Sequence, residues 1–408
     1  MDFAIQNKIN RRISQLLRDN VMYVSGTVSP AESDIETNDI ESMDKAIDYF
    51  REKGVTRLMV QPKWMGSRCQ IYLHRDDPAS NYAVSRNGFL IRTDLTSVYE
   101  DWNWVFEALD AKDSARRVCR VILDGELLPW NAMGGNLIER EFNGVIACVE
   151  AESDFLVSNG LDLKISDTIL SDDYMQFASD VETLSKKELV AKYPKYETYS
   201  LLLELNKWNL GEDVRNLDSY KAQLDLYTKD APLEFKAFDI LRVDFTNGDF
   251  SVNEWFLSLK DQVYQLLATK YPAREKLQIF NFDGDEHDES ARYALKIYFD
   301  ALVAAGYEGV MLKPLTPGTD AVHCMKVRNP EYLRLIYGFN YTTEEKLKGL
   351  VERKRVGKKR KASHKEHKLG LQMLKLDGRL PDFEEQFRAM AVPLLFEIEE
   401  ESKLDSRL

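Results

Sequence analysis

The chain has 408 residues, of which 44% are hydrophobic and 30% are charged, and its formal net charge is −13. This composition is typical of a globular protein of two or three domains, and it excludes a disordered chain. The acidic balance excludes binding of nucleic acid by the surface as a whole, so any polyanion must meet a local basic patch.

The four cysteines stand singly, at Cys69, Cys119, Cys148 and Cys324. Because no CxxC pair occurs, we expect neither a structural zinc site nor a disulfide framework, and free thiols fit a reducing compartment. The polar N-terminal stretch lacks the apolar core of a signal peptide, and no apolar run of about 18 residues occurs. The sequence therefore predicts a cytoplasmic protein without a membrane partner.

The predicted elements begin with helix. Residues 1–57 are expected to be helical, because Met43, Ala46, Ile47 and Phe50 recur at helical spacing. Short runs rich in Val, Ile, Leu and Tyr then predict strands. These are Thr56–Gln61, Arg68–His74, Ala83–Ser85, Val118–Leu123 and Gly144–Val149, interrupted by a helix at about Ser97–Leu109.

The middle of the chain, about residues 151–230, is acidic and predicted to be helical. Strands return at Leu233–Leu241, Gly309–Lys313 and Val322–Val327, with helices at Val252–Lys270 and Ser290–Ala305. We therefore expect an α+β fold. A mixed, antiparallel sheet is formed by both halves of residues 58–335, with the helical insertion between them and a helical module at 336–408.

A lysine stands in the turn between the first two predicted strands, in the sequence Lys63-Trp64-Met65-Gly66-Ser67-Arg68. A lysine amine can attack the α-phosphate of a nucleoside triphosphate and hold the nucleotide as a phosphoramidate. Gly66 lets the backbone approach phosphate closely, and Arg68 offers a planar fork of donors for ribose or phosphate oxygens. The alternative is a surface lysine beside a turn glycine, because K-x-x-G-x-R is a short pattern.

Two more motifs follow on the early strands. Arg86 stands in Ser85-Arg86-Asn87-Gly88, where Asn-Gly favours a tight hairpin, and its guanidinium is a candidate phosphate contact. Asp124 and Glu126 stand two apart in an apolar strand and so share one face. Because buried carboxylates need partners, this pair is either a structural salt bridge or a contact to ribose or metal.

The later strands supply aromatic and charged candidates. Either Phe235 or Phe238 could stack on a base, although core aromatics are the simpler interpretation. Glu308 and Lys313 end an apolar strand and lie either in solvent or at a cleft.

Two cations close the series. Lys326 and Arg328 share one strand face, which suits either an α-phosphate or a solvated edge. Beyond them, the nine Lys/Arg residues of segment 353–368 form either a solvated helix face or a surface for nucleic acid.

The order of these motifs resembles that of the covalent nucleotidyltransferase superfamily, which contains polynucleotide ligases and mRNA capping guanylyltransferases. The likeness spans roughly residues 58–328. A narrower likeness, over Leu123–Trp130 and Lys326–Gly338, is to the ligase domain of bacterial polynucleotide kinase-phosphatase, which belongs to an RNA repair system. No G-x-x-x-x-G-K-[ST] phosphate loop occurs, so no kinase is expected in this sequence.

The resemblance implies a role for each candidate residue. Lys63 would be the nucleophile that becomes adenylylated, and Glu308 would organise Mg²⁺ or Mn²⁺ through water. The remaining roles are ribose contact for Arg68 and Glu126, base stacking for Phe238, α-phosphate contact for Lys313 and Lys326, and phosphate or polynucleotide contact for Arg86.

Two positions depart from most ligases of the superfamily. Gln61-Pro62 replace the glutamate that reads the adenine amine, so the choice of ATP over GTP rests on the resemblance alone. Arg328 replaces the last lysine of the final motif, as it does in the kinase-phosphatase ligases. Both residues are counted among the candidate nucleotide contacts.

The resemblance predicts an ATP-dependent RNA ligase that joins 5′-phosphate and 3′-hydroxyl ends of RNA through lysyl-AMP. A kinase-phosphatase or a methyltransferase is an expected partner. The alternatives are a capping guanylyltransferase, a DNA ligase, and a non-catalytic nucleic-acid-binding relative. The roughly 70 residues after Arg334 are too few and too poor in strands for the OB domain that DNA ligases have.

Overall fold

The two halves of the chain combine into two five-stranded sheets flanked by helices. The computed structural model describes residues 3–112, 114–130, 138–160, 167–205, 210–228, 231–252, 277–316, 319–404 and 407. The helix predicted over Val252–Lys270 lies outside these residues, apart from Val252, which ends a strand.

The first sheet contains the strand that ends at the predicted nucleophile. Its order is β1 (Ser29–Pro30), β10 (Met325–Arg328), β9 (Gly309–Pro314), β2 (Arg57–Lys63) and β8 (Gln278–Asn281). The β1–β10 pair is parallel, and the other pairs are antiparallel. Lys63 pairs with Gly309, so the end of β2 lies beside the start of β9.

The second sheet is antiparallel throughout. Its order is β4 (Tyr82–Ser85), β3 (Ser67–His74), β5 (Val118–Leu128), β6 (Glu234–Phe245) and β7 (Phe250–Val252). Only residues 64–66 link β2 to β3, so the K-x-x-G-x-R motif spans the seam between the sheets. A Cβ on Gly66 would lie 2.5 Å from the carbonyl oxygen of Leu127, so only glycine fits this crossing.

Helices cover the outer faces of both sheets. On the first sheet, α2 (Met43–Glu52) and α10 (Asp285–Ala304) bury Phe50 and Leu295 against the strands. On one face of the second sheet, α3 (Thr96–Trp102) and α4 (Trp104–Asp110) complete a core. On its other face, α1 (Phe3–Arg18) packs with helices from the C-terminal module.

The N-terminal segment is less helical than predicted. Helices α1 and α2 are present, but α1 ends before Asn20, whose φ is +52°. Residues 21–24 are then buried without forming a helix, and β1 joins the first sheet. The apolar run Val21-Met22-Tyr23-Val24 packs against the second sheet and the C-terminal helices, which overrides the expected helix.

The helical insertion begins earlier than predicted, with α5 (Asn143–Ser158). It continues through α6 (Asp172–Val181), α7 (Lys186–Lys192), α8 (Tyr196–Leu205) and α9 (Leu210–Thr228). The strand predicted at Gly144–Val149 is therefore wrong, because it lies within α5. A short apolar run does not by itself distinguish strand from helix, and here the helix continues well beyond the run, to Ser158.

The C-terminal part is helical, as expected. It consists of α11 (Pro330–Tyr337), α12 (Glu344–Arg353), α13 (Gly357–Leu374) and α14 (Phe383–Glu401), and no strand occurs among the described residues 330–404. Among all the helices described, none is both long enough and apolar enough to cross a bilayer. The four cysteines, which all lie among the described residues, form no disulfide.

A buried carboxylate joins the N-terminal segment to the C-terminal module. The side chain of Glu41 is fully buried and accepts hydrogen bonds from Arg328, from the backbone N at 2.9 Å and from Nε at 3.0 Å. Lys354 Nζ lies 3.5 Å from the same carboxylate. Although burial raises it, the charges of Arg328 and Lys354 lower the pKa of Glu41 to about 2.

The substitution Glu41→Gln should lower the free energy of unfolding at neutral pH by about 3–5 kcal/mol, because it leaves two buried cations without their carboxylate. Urea unfolding measures this loss. The matched control is Glu32→Gln, which removes the exposed partner of Arg360 at 2.8 Å and should cost below about 1 kcal/mol. Equal losses for the two variants would show that the Glu41 cluster does not hold the module in place.

Candidate active site at the seam of the two sheets

Lys63 lies at the end of β2, where the chain crosses from the first sheet to the second. Its Nζ lies 2.7 Å from Glu308 Oε1, and the Glu308 side chain is only 3% exposed. Gly309 allows this contact: its φ is +151°, and a Cβ there would lie 2.1 Å from the carbonyl oxygen of Val327. Gln61, on the same strand as Lys63, is buried. The two residues predicted as nucleophile and metal organiser are therefore direct neighbours.

Tyrosines from two helices surround the Glu308 carboxylate. Burial, the negative charge of Glu308 and a hydrogen bond to it raise the pKa of the Tyr332 phenol, which lies in the first turn of α11. Tyr227 of the insertion packs edge-on against Tyr332, with ring centroids 5.9 Å apart. The backbone N of Asn329 donates to the Glu308 carbonyl oxygen at 2.8 Å. The insertion thus reaches the partner of the nucleophile.

Lys326 lies half-buried on β10, close to the Lys63–Glu308 pair. Burial lowers the pKa of Lys326 well below its ordinary value, the neighbouring cations Arg328 and Lys63 lower it further, and Glu41 and Glu308 oppose them. A cation in this position can meet a phosphate group that approaches Lys63. Arg328, in contrast, is 5% exposed and paired with Glu41, and its predicted nucleotide contact stays a prediction.

Phe238 lies between two of the predicted cations. Lys313 Nζ is 4.8 Å from the centroid of its ring and donates to its carbonyl oxygen at 3.3 Å, while Arg68 Cζ lies 5.6 Å from the same centroid. Phe235, by contrast, is buried in the core against Trp102. Of the two aromatics predicted as candidates for base stacking, Phe238 is the one that lies beside the charged cluster.

Asp124 forms the structural salt bridge that was one of its two predicted roles. Its Oδ2 lies 2.6 Å from Arg68 Nη2, and its Oδ1 accepts a hydrogen bond from Gln70 Nε2 at 2.7 Å. Asp124 is 2% exposed, and Tyr23 also hydrogen bonds to Arg68. These contacts fix the Arg68 guanidinium beside the ring of Phe238, so Asp124 positions Arg68 and its oxygens are occupied.

Glu126 lies opposite Arg68 across the β3–β5 pair. Burial raises the pKa of Glu126 to about 7, with Lys63 lowering it and Glu308 raising it. The backbone N of Arg86 donates to the Arg68 carbonyl oxygen at 3.0 Å. Burial and the nearby Arg68 lower the pKa of Arg86, while Glu401 and Glu366 of the C-terminal helices, and then Glu126, oppose them. Glu126 therefore belongs to the charged cluster around the nucleophile, whereas Arg86 lies between Arg68 and the C-terminal module.

The carboxylates present fit a loosely held divalent ion. Within the described part of the chain, no three His, Cys, Asp or Glu side chains form a group that could hold a metal. Mg²⁺ and Mn²⁺ prefer oxygen ligands, and Mg²⁺ usually keeps several waters and binds through one or two carboxylates and substrate phosphates. Glu308 would supply such a carboxylate beside Lys63.

A family model of the PNKP adenylyltransferase domain, described also as a ligase domain, matches residues 15–381. This chain belongs to that family. The match confirms the predicted kinase-phosphatase ligase likeness, the nucleotidyltransferase fold and the ligase class of enzyme. A comparison with curated proteins found no match.

Two solved structures resemble this ligase over nearly its whole length. One is titled "Structure of Pnkp1/Rnl/Hen1 complex", with 29% identity, a TM-score of 0.80, and coverage of 99% of this chain and 100% of the other. The second is titled "Structure of the Pnkp1/Rnl/Hen1 RNA repair complex", with 27% identity, a TM-score of 0.82, and coverage of 98% and 99%.

Several residues of the site carried no predicted role. Gln70 and Tyr23 help to hold Arg68, and Glu41 neutralises Arg328. Tyr332 had a local signal, since Asn329 caps a helix that begins at Pro330 directly after β10, which places Tyr332 in the first turn. Tyr227 had none, because its contact depends on how the insertion folds back.

The pH dependence of stability should report the burial of Glu126. The raised pKa of about 7 lies above the ordinary value of 4.5, so the charged carboxylate destabilises the fold as pH rises from about 4.5 to 7. Glu126→Gln should therefore gain stability over the wild type with rising pH, by up to about 3 kcal/mol at pH 8. Urea unfolding from pH 5 to pH 8 measures this difference.

A matched control is Glu289→Gln on α10, for which no pH-dependent gain is expected, because this residue is exposed. A Glu126→Gln difference that stayed constant, or that shrank as pH rose, would contradict the half-buried position of the carboxylate beside Glu308. The same variant should lose activity if Glu126 contacts the ribose.

Proposed function

We propose that this protein is an ATP-dependent RNA ligase that seals 5′-phosphate and 3′-hydroxyl ends during RNA repair. The observation that carries the proposal is the contact of 2.7 Å between Lys63 Nζ and the buried Glu308, at the seam where the K-x-x-G-x-R motif crosses. Membership of the PNKP ligase family and the likeness to structures of an RNA repair complex support it.

In the first step, Lys63 Nζ forms a bond to the α-phosphorus of ATP while the bond from that phosphorus to pyrophosphate breaks. The amine loses a proton, and the Glu308 carboxylate is close enough to accept it. Lys326 and Lys313 neutralise the negative charge that develops on the phosphate oxygens. The product is lysyl-AMP.

In the second step, a 5′-phosphate oxygen of RNA bonds to the AMP phosphorus, and the bond to Lys63 breaks, so the amine is regenerated. In the third step, the 3′-hydroxyl of the other end attacks the 5′-phosphate and AMP leaves. A divalent ion at Glu308 would supply electrostatic stabilisation of the transferring phosphate when bound. The orientation of the ribose would rest on Arg68 and Glu126.

The choice of nucleotide rests on the stacking of adenine on Phe238 and on the buried amide of Gln61. An amide can donate or accept hydrogen bonds, so Gln61 fits either purine. Membership of an adenylyltransferase family favours ATP. A preference for GTP would move the reaction to that of a capping guanylyltransferase.

The RNA ends that this ligase joins must carry a 5′-phosphate and a 3′-hydroxyl. An RNA kinase-phosphatase that produces such ends is the partner whose chemistry fits, and a methyltransferase is a second candidate. The likeness to a structure of a Pnkp1/Rnl/Hen1 complex supports assembly with such partners. Four cysteines without a disulfide agree with a reducing, cytoplasmic compartment.

The substitution Lys63→Ala should abolish transfer of label from α-labelled ATP to the protein, because the amine that forms the phosphoramidate is lost. The measurement is incubation with each α-labelled nucleoside triphosphate and Mg²⁺ or Mn²⁺, followed by electrophoresis. The variant should still seal a pre-adenylylated RNA strand in part, since the last step needs no new lysyl-AMP.

The matched control is Lys45→Ala, which removes a lysine on α2 whose Nζ lies 3.7 Å from Asp34. This variant should take up label from ATP as the wild type does. Wild-type labelling by the Lys63→Ala variant would refute the nucleophile assignment. Stronger labelling of the wild type with GTP than with ATP would refute the donor assignment.

The basic segment 353–368 divides into buried and exposed cations. Lys354 and Lys359 are buried and paired with glutamates, and Arg360, Lys365 and Lys368 are paired with acids at the surface. The exposed residues for which no acidic partner is described are Arg353, Arg355, Lys358 and Lys361. This second group can offer its charge to RNA without breaking a described ion pair.

The double substitution Lys358→Ala/Lys361→Ala should weaken RNA binding and reduce its salt dependence, by about 0.7 in the log–log slope for each lost phosphate contact. Labelling of Lys63 should stay unchanged, because the residues proposed to hold ATP belong to the two sheets and not to the C-terminal module. Filter binding at several salt concentrations measures the slope. An unchanged affinity and slope would mean that this helix face is merely solvated.

A further inference from the structure

Helix α1 is a basic surface on an acidic protein. Its sixteen residues contain four cations, Lys8, Arg11, Arg12 and Arg18, and no acid, whereas the net charge of the chain is −13. Lys8 is paired with Glu399 at 2.7 Å, and Arg18 with Asp19 at 3.0 Å.

Arg11 differs from these two cations. It is exposed, and no ion pair is described for it in the resolved part of the molecule. The helix therefore presents positive charge that the fold itself does not neutralise.

An exposed aromatic ring lies against this helix. Phe89, at the tip of the hairpin after β4, is 51% exposed, and the Arg12 guanidinium lies 3.7 Å from the centroid of its ring. A groove of about 560 Å³ runs between the hairpin and α1, lined by Asn7, Arg11, Gln15 and Phe89 among others. The groove thus combines cations, amides and one aromatic face.

The hairpin connects this groove to the active site. The backbone N of Arg86, three residues before Phe89, donates to the carbonyl oxygen of Arg68 at 3.0 Å. Cys69, the residue after Arg68, pairs with Ser85 across β3 and β4, so the hairpin begins directly beside Arg68 of the candidate active site. A Cβ on Gly88 would lie only 2.7 Å from Leu16 Cδ2 of α1, so the hairpin packs closely on the helix. Gln15 Nε2 of α1 also donates to the Gly88 carbonyl oxygen at 3.0 Å.

We propose that the groove between α1 and the Phe89 hairpin binds single-stranded RNA that leaves the active site, with a base stacked on Phe89 and a phosphate at Arg11. Aromatic faces together with cations are the usual means of binding single strands without sequence preference, and guanidinium groups add cation–π contacts. The unneutralised charge favours a polyanion over an apolar protein segment. This inference rests on the proposed function and adds the path of the RNA strand.

The test uses a 5′-phosphorylated, single-stranded oligoribonucleotide and the full chain. Phe89→Ala should weaken its binding about tenfold, within the range expected for one stacked base. Arg11→Ala should weaken it several-fold and reduce the log–log salt slope by about 0.7, the loss of one phosphate contact. Self-adenylylation with ATP should be unchanged in both variants, because neither residue lies among those proposed to hold ATP.

Two further variants of Phe89 separate stacking from simple apolar contact. Phe89→Trp should restore binding to at least the wild-type level, whereas Phe89→Leu should behave like Phe89→Ala, because leucine has no π face. If Phe89→Leu bound RNA as well as the wild type, base stacking on the aromatic face would be refuted, because an apolar contact would then be sufficient.

Lys296→Ala on α10 is the matched control for charge, since it removes an exposed cation from a helix on the other sheet and should leave RNA binding unchanged. Circular dichroism excludes unfolding as the cause of any loss. If the wild type binds and seals RNA but the Phe89 and Arg11 variants match it, this inference fails alone. If the wild type neither binds nor seals RNA, the proposed function fails with it.

Discussion

The contact between Lys63 and Glu308 is the constraint on which the rest of the site depends. Lys63 is the last residue of β2, and Glu308 stands directly before the first residue of β9, the neighbouring strand of the same sheet. After Lys63, only three residues lead to β3 in the second sheet. Gly66 and Gly309 make this geometry possible, since a Cβ at either position would overlap neighbouring backbone. The nucleophile therefore lies where both sheets can contribute side chains to one nucleotide.

Two of the arginines near this contact are paired with buried carboxylates. Arg68 is held by Asp124, and Arg328 by Glu41, so these guanidinium groups keep fixed positions before any nucleotide arrives. Lys326 is different, because burial and like charge lower its pKa without a direct partner being described. Burial disfavours the charged form of the Lys326 amine. The negative charge of a bound phosphate would stabilise that charged form, so nucleotide binding would offset part of the desolvation cost.

Sequence patterns predicted most of the residues that the structure brings together around Lys63, because these residues lie at or near strand ends within short motifs. Lys63, Arg68, Glu308 and Lys326 were placed by motif order, and the strands that position them formed as expected. Patterns could not supply the partners, since Glu41, Gln70 and Tyr227 meet the site through tertiary contacts. The strand expected at Gly144–Val149 is wrong for another reason: its short apolar run fits either element, and it forms the first part of a 16-residue helix.

The helical insertion and the C-terminal module both contact residues of this site. The insertion reaches Glu308 through Tyr227 and Tyr332, and the C-terminal module is tied to β10 through Glu41. The central claim is covalent catalysis at Lys63, and peptide mapping by mass spectrometry after incubation with ATP and Mg²⁺ tests it most directly. The account predicts an acid-labile AMP adduct on the peptide that contains Lys63. An adduct on another lysine, with the Lys63 peptide unmodified, would contradict it.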